Sequence, residues 1–156
     1  MRSFSVLFVT LTLAWASVWA GASYATNEET LLIIVHPQSR VEQVSSYQLE
    51  ALFTRAQTRW DDGSAVYPFS FPAGSPPREG FDRAVLKLDP DQVGRFWLDR
   101  RIRGLGMPPK QVPTATMMTQ IVANLPGAVG YIPAGRTKPP GVKVVARIVQ
   151  GKVLPP

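Results

Sequence analysis

Two hydrophobic periods alternate along this chain. "LLIIV" at positions 31–35 is a continuous apolar run, rich in branched residues and stopped by His36 and Pro37. That is the pattern of a strand buried on both faces of a parallel or mixed sheet. In "VSSYQLEALFTR" the period changes: Leu49, Leu52 and Phe53 fall on one helical face, and Ser45 with Gln48 makes a capping box at its start. "RWDDGSAVYPFSF" places an Asp-Gly turn at Asp62-Gly63 before a strand over residues 66–69. Ser75 before Pro76 and Pro77 starts a second helix running to about Leu88, because prolines fit the first turn, where their missing N–H groups have no intrahelical partner. Asp89, Pro90 and Gln92 repeat the start signal for a helix carrying Val93, Phe96 and Trp97, which breaks in "RGLGMPPK". Thr114 opens a third such segment with the apolar stripe Met117, Met118, Ile121 and Val122, ended by Pro126-Gly127. "AVGYI" and "VKVVARI" read as strands, and "GKVLPP" as either a frayed tail or a final edge strand. Helices alternating with short apolar strands predict an α/β fold: a single small three-layer domain, a mixed sheet flanked by helices.

The amino-terminal pattern belongs to neither period. Met1 and Arg2 precede "FSVLFVTLTLAWASVWA", which ends in the small residues "GASYA", the layout of a secretory signal peptide over residues 1–25, cleaved after Ala25 or Ala20. An uncleaved anchor is the other reading, but the apolar run falls just short of a span and has no basic stop-transfer flank. Residues 26–156 then form the domain, with a periplasmic location and no stable membrane anchor after cleavage. The chain has no cysteine, so neither disulfides nor a lipidated cysteine enter the picture. About 130 residues suffice to bury a core of Trp60, Phe69, Phe81, Phe96, Trp97 and Tyr131 without metals or bridges. The formal charge of +6 drops by one with Arg2. In an exported chain this charge points to small anions or acidic surfaces rather than to nucleic acid, or to solubility alone.

Catalytic chemistry is sparse. There is one histidine, no cysteine, and the carboxylates are scattered at positions read as solvent-facing. His36, at a strand end beside Pro37, reads as a satisfied polar group. Asp61, Asp62 and Asp89 read as turn and cap residues. No cofactor or metal set emerges, and the chain is expected not to be an enzyme. The stretch "FPAGSPPREGF" is the exception, since a helix start presents unpaired N–H groups to an anion. Its candidate ligands are Gly74, Ser75 and Arg78. The two prolines remove donors, leaving the N–H groups of Gly74, Ser75, Arg78 and Glu79. Arg78 either folds back onto a bound oxyanion or pairs with Glu79 or Asp82 on the surface. A second basic cluster, Arg95, Arg100, Arg101 and Arg103, reads as an anion-attracting groove or as a solvated helix end favoured by the dipole.

The order "LLIIVHP", "QLEALFTRAQTRWDDGSAVYPF", "GSPPREGFDRAVL" and "MTQIVANLPGAVGYIPA", over residues 31–134, resembles the phosphate-type periplasmic substrate-binding proteins of ABC importers. The most telling match is "LPGAVGY" at residues 125–131. The resemblance implies one lobe of a type 2 periplasmic binding protein, reduced to a single half-domain, with phosphate or another small oxyanion as ligand. It also implies departures. Gly74 and Ser75 match the family's phosphate turn, but Phe71 stands in place of its arginine, Ala73 of its aspartate, and Pro76 and Pro77 of its Gly and Thr. The expected function is an exported, non-catalytic solute-binding-like protein that holds an oxyanion weakly if at all. The alternative is a periplasmic interaction or accessory module that has lost solute binding, its partner an envelope protein or a second copy.

Overall fold

A computed structural model describes residues 30–135, 137 and 139–156; the expected signal peptide, residues 1–25, lies outside the described residues. The elements run β1 (Leu31–Val35), α1 (Ser46–Phe53), β2 (Tyr67–Ser70), α2 (Pro76–Phe81) continuing into a π-helical turn (Asp82–Leu86), α3 (Pro90–Ile102), β3 (Lys110–Gln111), α4 (Ala115–Asn124), β4 (Ala128–Pro133), β5 (Lys143–Val149) and β6 (Lys152–Leu154). The strands form one mixed sheet in the order β3-β2-β4-β1-β5-β6. β1 runs antiparallel to both its neighbours, while β2 is parallel to β3 and β4. The branched run of β1 is therefore central, and Leu31, Ile33, Ile34 and Val35 are buried.

Side chains alternate across a strand, and this assigns the layers. Ile33 pairs with Tyr131, and on that face Tyr131 meets Phe53 of α1 and stacks on Phe81 of α2, with ring centroids 4.1 Å apart and planes 6° apart. The preceding residue of β4, Gly130, faces the opposite way. A Cβ there would lie 2.6 Å from the Met118 sulfur and 3.4 Å from Val122, so α4 packs where glycine leaves room. The predicted three-layer α/β domain is the one observed.

Several expectations need correction. The second helix does not reach Leu88 as an α-helix; it widens at Asp82 into the π-turn and ends on Lys87 in the left-handed region, φ 58°. That wider turn buries Asp82, Ala84, Val85 and Leu86 together. Phe96 is only half-buried, packed against the edge of the core, and Met117 is exposed while Met118 and Val122 carry the α4 contact. The segment after the break in "RGLGMPPK" supplies the short parallel strand β3, which the sequence pattern did not signal. The carboxy-terminal "GKVLPP" resolves to the edge strand β6. Both capping boxes form as expected, Ser45 with Gln48 and Asp89 with Gln92.

Candidate functional site

The Gly74-Ser75 turn lies between the carboxyl end of β2 and α2. Gly74 takes φ +79° with open space around it. Ser75 has the extended backbone of an N-cap, but its side chain makes no cap bond. Instead its hydroxyl donates to the Pro72 carbonyl at 2.7 Å, and its N–H donates to the same oxygen at 3.3 Å. The Glu79 N–H donates to the Ser75 carbonyl. Two of the four donors expected at this turn are thus spent within it. Phe71 is buried, with its ring 5.5 Å from that of Tyr131.

Arg78 does not point to the surface. Its pairing with Asp82 is made, but in the interior: Nε donates to Oδ2 at 2.6 Å, with both residues buried, at 7% and 5% exposure. Nη1 donates to the Ser70 hydroxyl at 2.6 Å and reaches the Phe71 carbonyl at 3.4 Å. The Phe71 N–H donates to the Tyr131 hydroxyl. The reading of Asp82 as one of a set of solvated carboxylates is corrected accordingly. Burial pushes its carboxyl above the ordinary 3.8, outweighing the lowering by Arg78, and burial likewise pushes the Tyr131 phenol up. The Arg78 cation is thus neutralised in the interior by Asp82 and tied to Ser70 and Phe71, with no side-chain bond to Gly74 or Ser75 (the helix spacing of Arg78 and Asp82 signalled the pair, whereas Ser70 and Tyr131 had no sequence signal).

A concavity lies at the opposite end of the sheet. His36 follows the end of β1, while Tyr67 and Gly127 stand at the starts of β2 and β4, and together with Arg40, Trp60 and Asp62 they line a cleft of about 510 Å³. Its groups are tied locally. The His36 Nδ1 accepts from the Gln38 N–H, the Trp60 indole donates to the Gly127 carbonyl, and Asp62 Oδ1 accepts from the Ser64 N–H and hydroxyl. Those Ser64 bonds, with Arg40 nearby, hold the exposed Asp62 carboxyl below its usual value. Among the described residues no cluster of three or more His, Cys, Asp or Glu could hold a metal, and no helix is long and apolar enough to cross a membrane.

No family model matches the chain, and no curated protein matches it in sequence. Its fold does match solved structures. An ABC-type phosphate transport receptor from Vibrio cholerae superposes with a TM-score of 0.59 at 19% identity, over 76% of this chain and 46% of that one. PstS from Borrelia burgdorferi superposes with a TM-score of 0.60 at 13% identity, over 75% of this chain and 46% of its own. The chain spans less than half the length of these proteins. It has the fold of one lobe of a phosphate-type periplasmic substrate-binding protein.

Proposed function

We propose that this chain is an exported, non-catalytic solute-binding-like protein that holds a small oxyanion, phosphate or a relative of it, weakly at the Gly74-Ser75 turn. The turn opens a helix at a strand end, in a fold shared with phosphate-binding proteins. One observation carries the weakness of the site: the Arg78 guanidinium is buried against Asp82 and Ser70, so the turn offers an anion the helix dipole, the Gly74 and Arg78 N–H groups and a Ser75 hydroxyl that must first leave the Pro72 carbonyl, but no uncompensated charge. Charge-assisted bonds are about twice as strong as neutral ones, and without one the affinity belongs near 1 mM, about −4 kcal/mol.

Titration of the isotopically labelled protein with phosphate and sulfate tests this. Saturable millimolar shifts at the Gly74 and Ser75 amides are expected, lost in Ser75→Ala. Micromolar binding would refute the weak site. Silence at tens of millimolar, on the scale where a turn of neutral donors should respond, would leave the second reading, an accessory module that meets an envelope protein. That reading is favoured by the free edge of β6, whose Lys152 and Leu154 are exposed.

A further inference from the structure

The cleft at the opposite end of the sheet from the Gly74-Ser75 turn has the size and the fixed walls of a ligand site. Its volume of about 510 Å³ falls in the range of about 300–1,000 Å³ usual for small-molecule pockets. Three turns form the walls, each fastened by its own bonds. After β1 the Ser39 N–H donates to the His36 carbonyl at 2.9 Å. In the hairpin after α1 the Trp60 N–H donates to the Ser64 carbonyl at 2.8 Å, and the Gly63 N–H to the Trp60 carbonyl at 2.9 Å. The Pro126-Gly127 turn is tied to that hairpin, because the Gly127 carbonyl accepts both the Tyr67 N–H at 3.0 Å and the Trp60 indole at 3.3 Å. Walls held in this way do not have to be ordered by the ligand, which removes one cost of binding.

The polar groups of the walls each keep an atom for a guest. Both Ser64 bonds end on Asp62 Oδ1, which leaves Oδ2 without a protein partner among the described residues. His36 accepts at Nδ1, so the proton of its neutral ring sits on Nε2 as a donor. Arg40 is exposed and forms no ion pair among the described residues, although it is near enough to help lower the Asp62 carboxyl. Tyr67, 47% exposed at the start of β2, adds an aromatic face. A smaller hollow shares Arg40, Trp60 and Asp62 with the cleft and brings in Asp61 and Glu42, the latter paired with Lys143.

One concavity thus holds a cation and a carboxylate that do not neutralise each other by contact. A simple anion would meet Arg40 but be repelled by Asp62, a simple amine would meet the reverse, and a neutral polyol would compensate neither charge. A guest carrying both charges satisfies both walls. We propose that the cleft binds a small zwitterion, an α-amino acid with an apolar side chain. Its ammonium donates to Asp62 Oδ2, its carboxylate accepts from Arg40 and from the His36 Nε2–H, and its side chain lies on the Tyr67 ring. Water competes for both exposed charges, so the affinity is millimolar. The site is independent of the Gly74-Ser75 turn, which stands at the other end of the sheet.

The test is titration of the isotopically labelled protein with four probes: L-leucine, N-acetyl-L-leucine, which lacks the cation, L-leucinamide, which lacks the anion, and maltose, a neutral polyol. Saturable shifts at the Gln38, Ser64 and Gly127 amides are expected with leucine, and responses at least about tenfold weaker with the other three, since each charged partner lost removes a charge-assisted bond. Asp62→Asn keeps the oxygen that Ser64 binds and removes only the charge. It should weaken leucine about tenfold and abolish the preference for leucine over N-acetyl-leucine, whereas Arg40→Gln should abolish the preference over leucinamide. Both residues are exposed, so neither variant should shift the thermal transition. Ser75→Ala should bind leucine like the parent, which separates this site from the oxyanion turn. The proposal is overturned by silence of these amides at tens of millimolar leucine, by a blocked derivative binding as well as leucine, or by unchanged preferences in the two charge variants. A saturable response to maltose at the same amides, equal to that of leucine, also overturns it and assigns the cleft to a sugar.

Discussion

Arg78 and Asp82 are two charges taken out of water within one helical turn, and their partners decide what the pair contributes. Removing one member of a buried ion pair typically costs about 3–5 kcal/mol because the other is left uncompensated, whereas replacing both by apolar residues of similar volume is often neutral. Asp82→Ala is therefore expected to destabilise the fold by about that amount, and Arg78→Met/Asp82→Leu by clearly less, as read from denaturant midpoints. Protonation gives a second handle. Because burial holds the folded carboxyl above 3.8, the folded state binds its proton more tightly than the unfolded chain does. The favourable contribution is then complete below 3.8 and fades as pH rises through the folded value. Relative to Asp82→Asn, the parent should lose stability over that window, and a gain would mean that the attraction of Arg78 exceeds the desolvation. The sequence showed Arg78 and Asp82 at helical spacing but placed them on the surface. Their burial depends on Ser70 and on the distant Tyr131 ring, which no local pattern encodes.

At the scale of elements, two glycines separate conformational from packing demand. Gly74 and Gly127 both take positive φ, +79° and +84°, but a Cβ at Gly74 meets nothing within 4 Å while at Gly127 it would lie 2.2 Å from the Ala65 carbonyl oxygen. Gly74→Ala should cost about 1–2 kcal/mol, the left-handed penalty alone. Gly127→Ala should cost about 2–4 kcal/mol, since backbone must also move. Chemical denaturation of the two variants gives the comparison, and equal losses would show that the close approach to Ala65 is relaxed without cost. α3 buries only Val93 and Trp97 among its 13 residues, and the Trp97 indole nitrogen and the Arg100 Nε are buried with no partner among the described residues. Hydrogen exchange should therefore find its amides less protected than those of α4. The capped helices and the long strands were legible because Ser45, Asp89 and Thr114 announce themselves locally. The π-turn and β3 were not: one is decided by which residues the core accepts, the other by two residues that pair with β2.

For the whole molecule, sheet order determines which truncations the fold survives. β1, first in the chain among the described elements, is flanked by β4 and β5 from its other end, so the core closes only when distant segments meet. β6 pairs with β5 alone, and its three residues are exposed or half-buried. Ending the chain after Val149 should accordingly lower stability by no more than about 1–2 kcal/mol, with a cooperative melt retained. Ending it before Gly141 removes β5 and with it the buried Val145, Ala146 and Ile148. It also deletes the Val145 carbonyl that accepts from the Val44 N–H ahead of α1, and it opens the edge of β1. Each buried branched side chain contributes about 1.5–3 kcal/mol, and the unpaired strand edge adds to the loss, against a total stability of about 5–15 kcal/mol for a domain of ordinary size. The shorter truncation should show coincident circular-dichroism and tryptophan-fluorescence transitions, and the longer one no cooperative transition. A cooperative melt in the absence of β5 would mean that β1 and β4 with their helices form a folding unit without it, and that β1 tolerates an open edge.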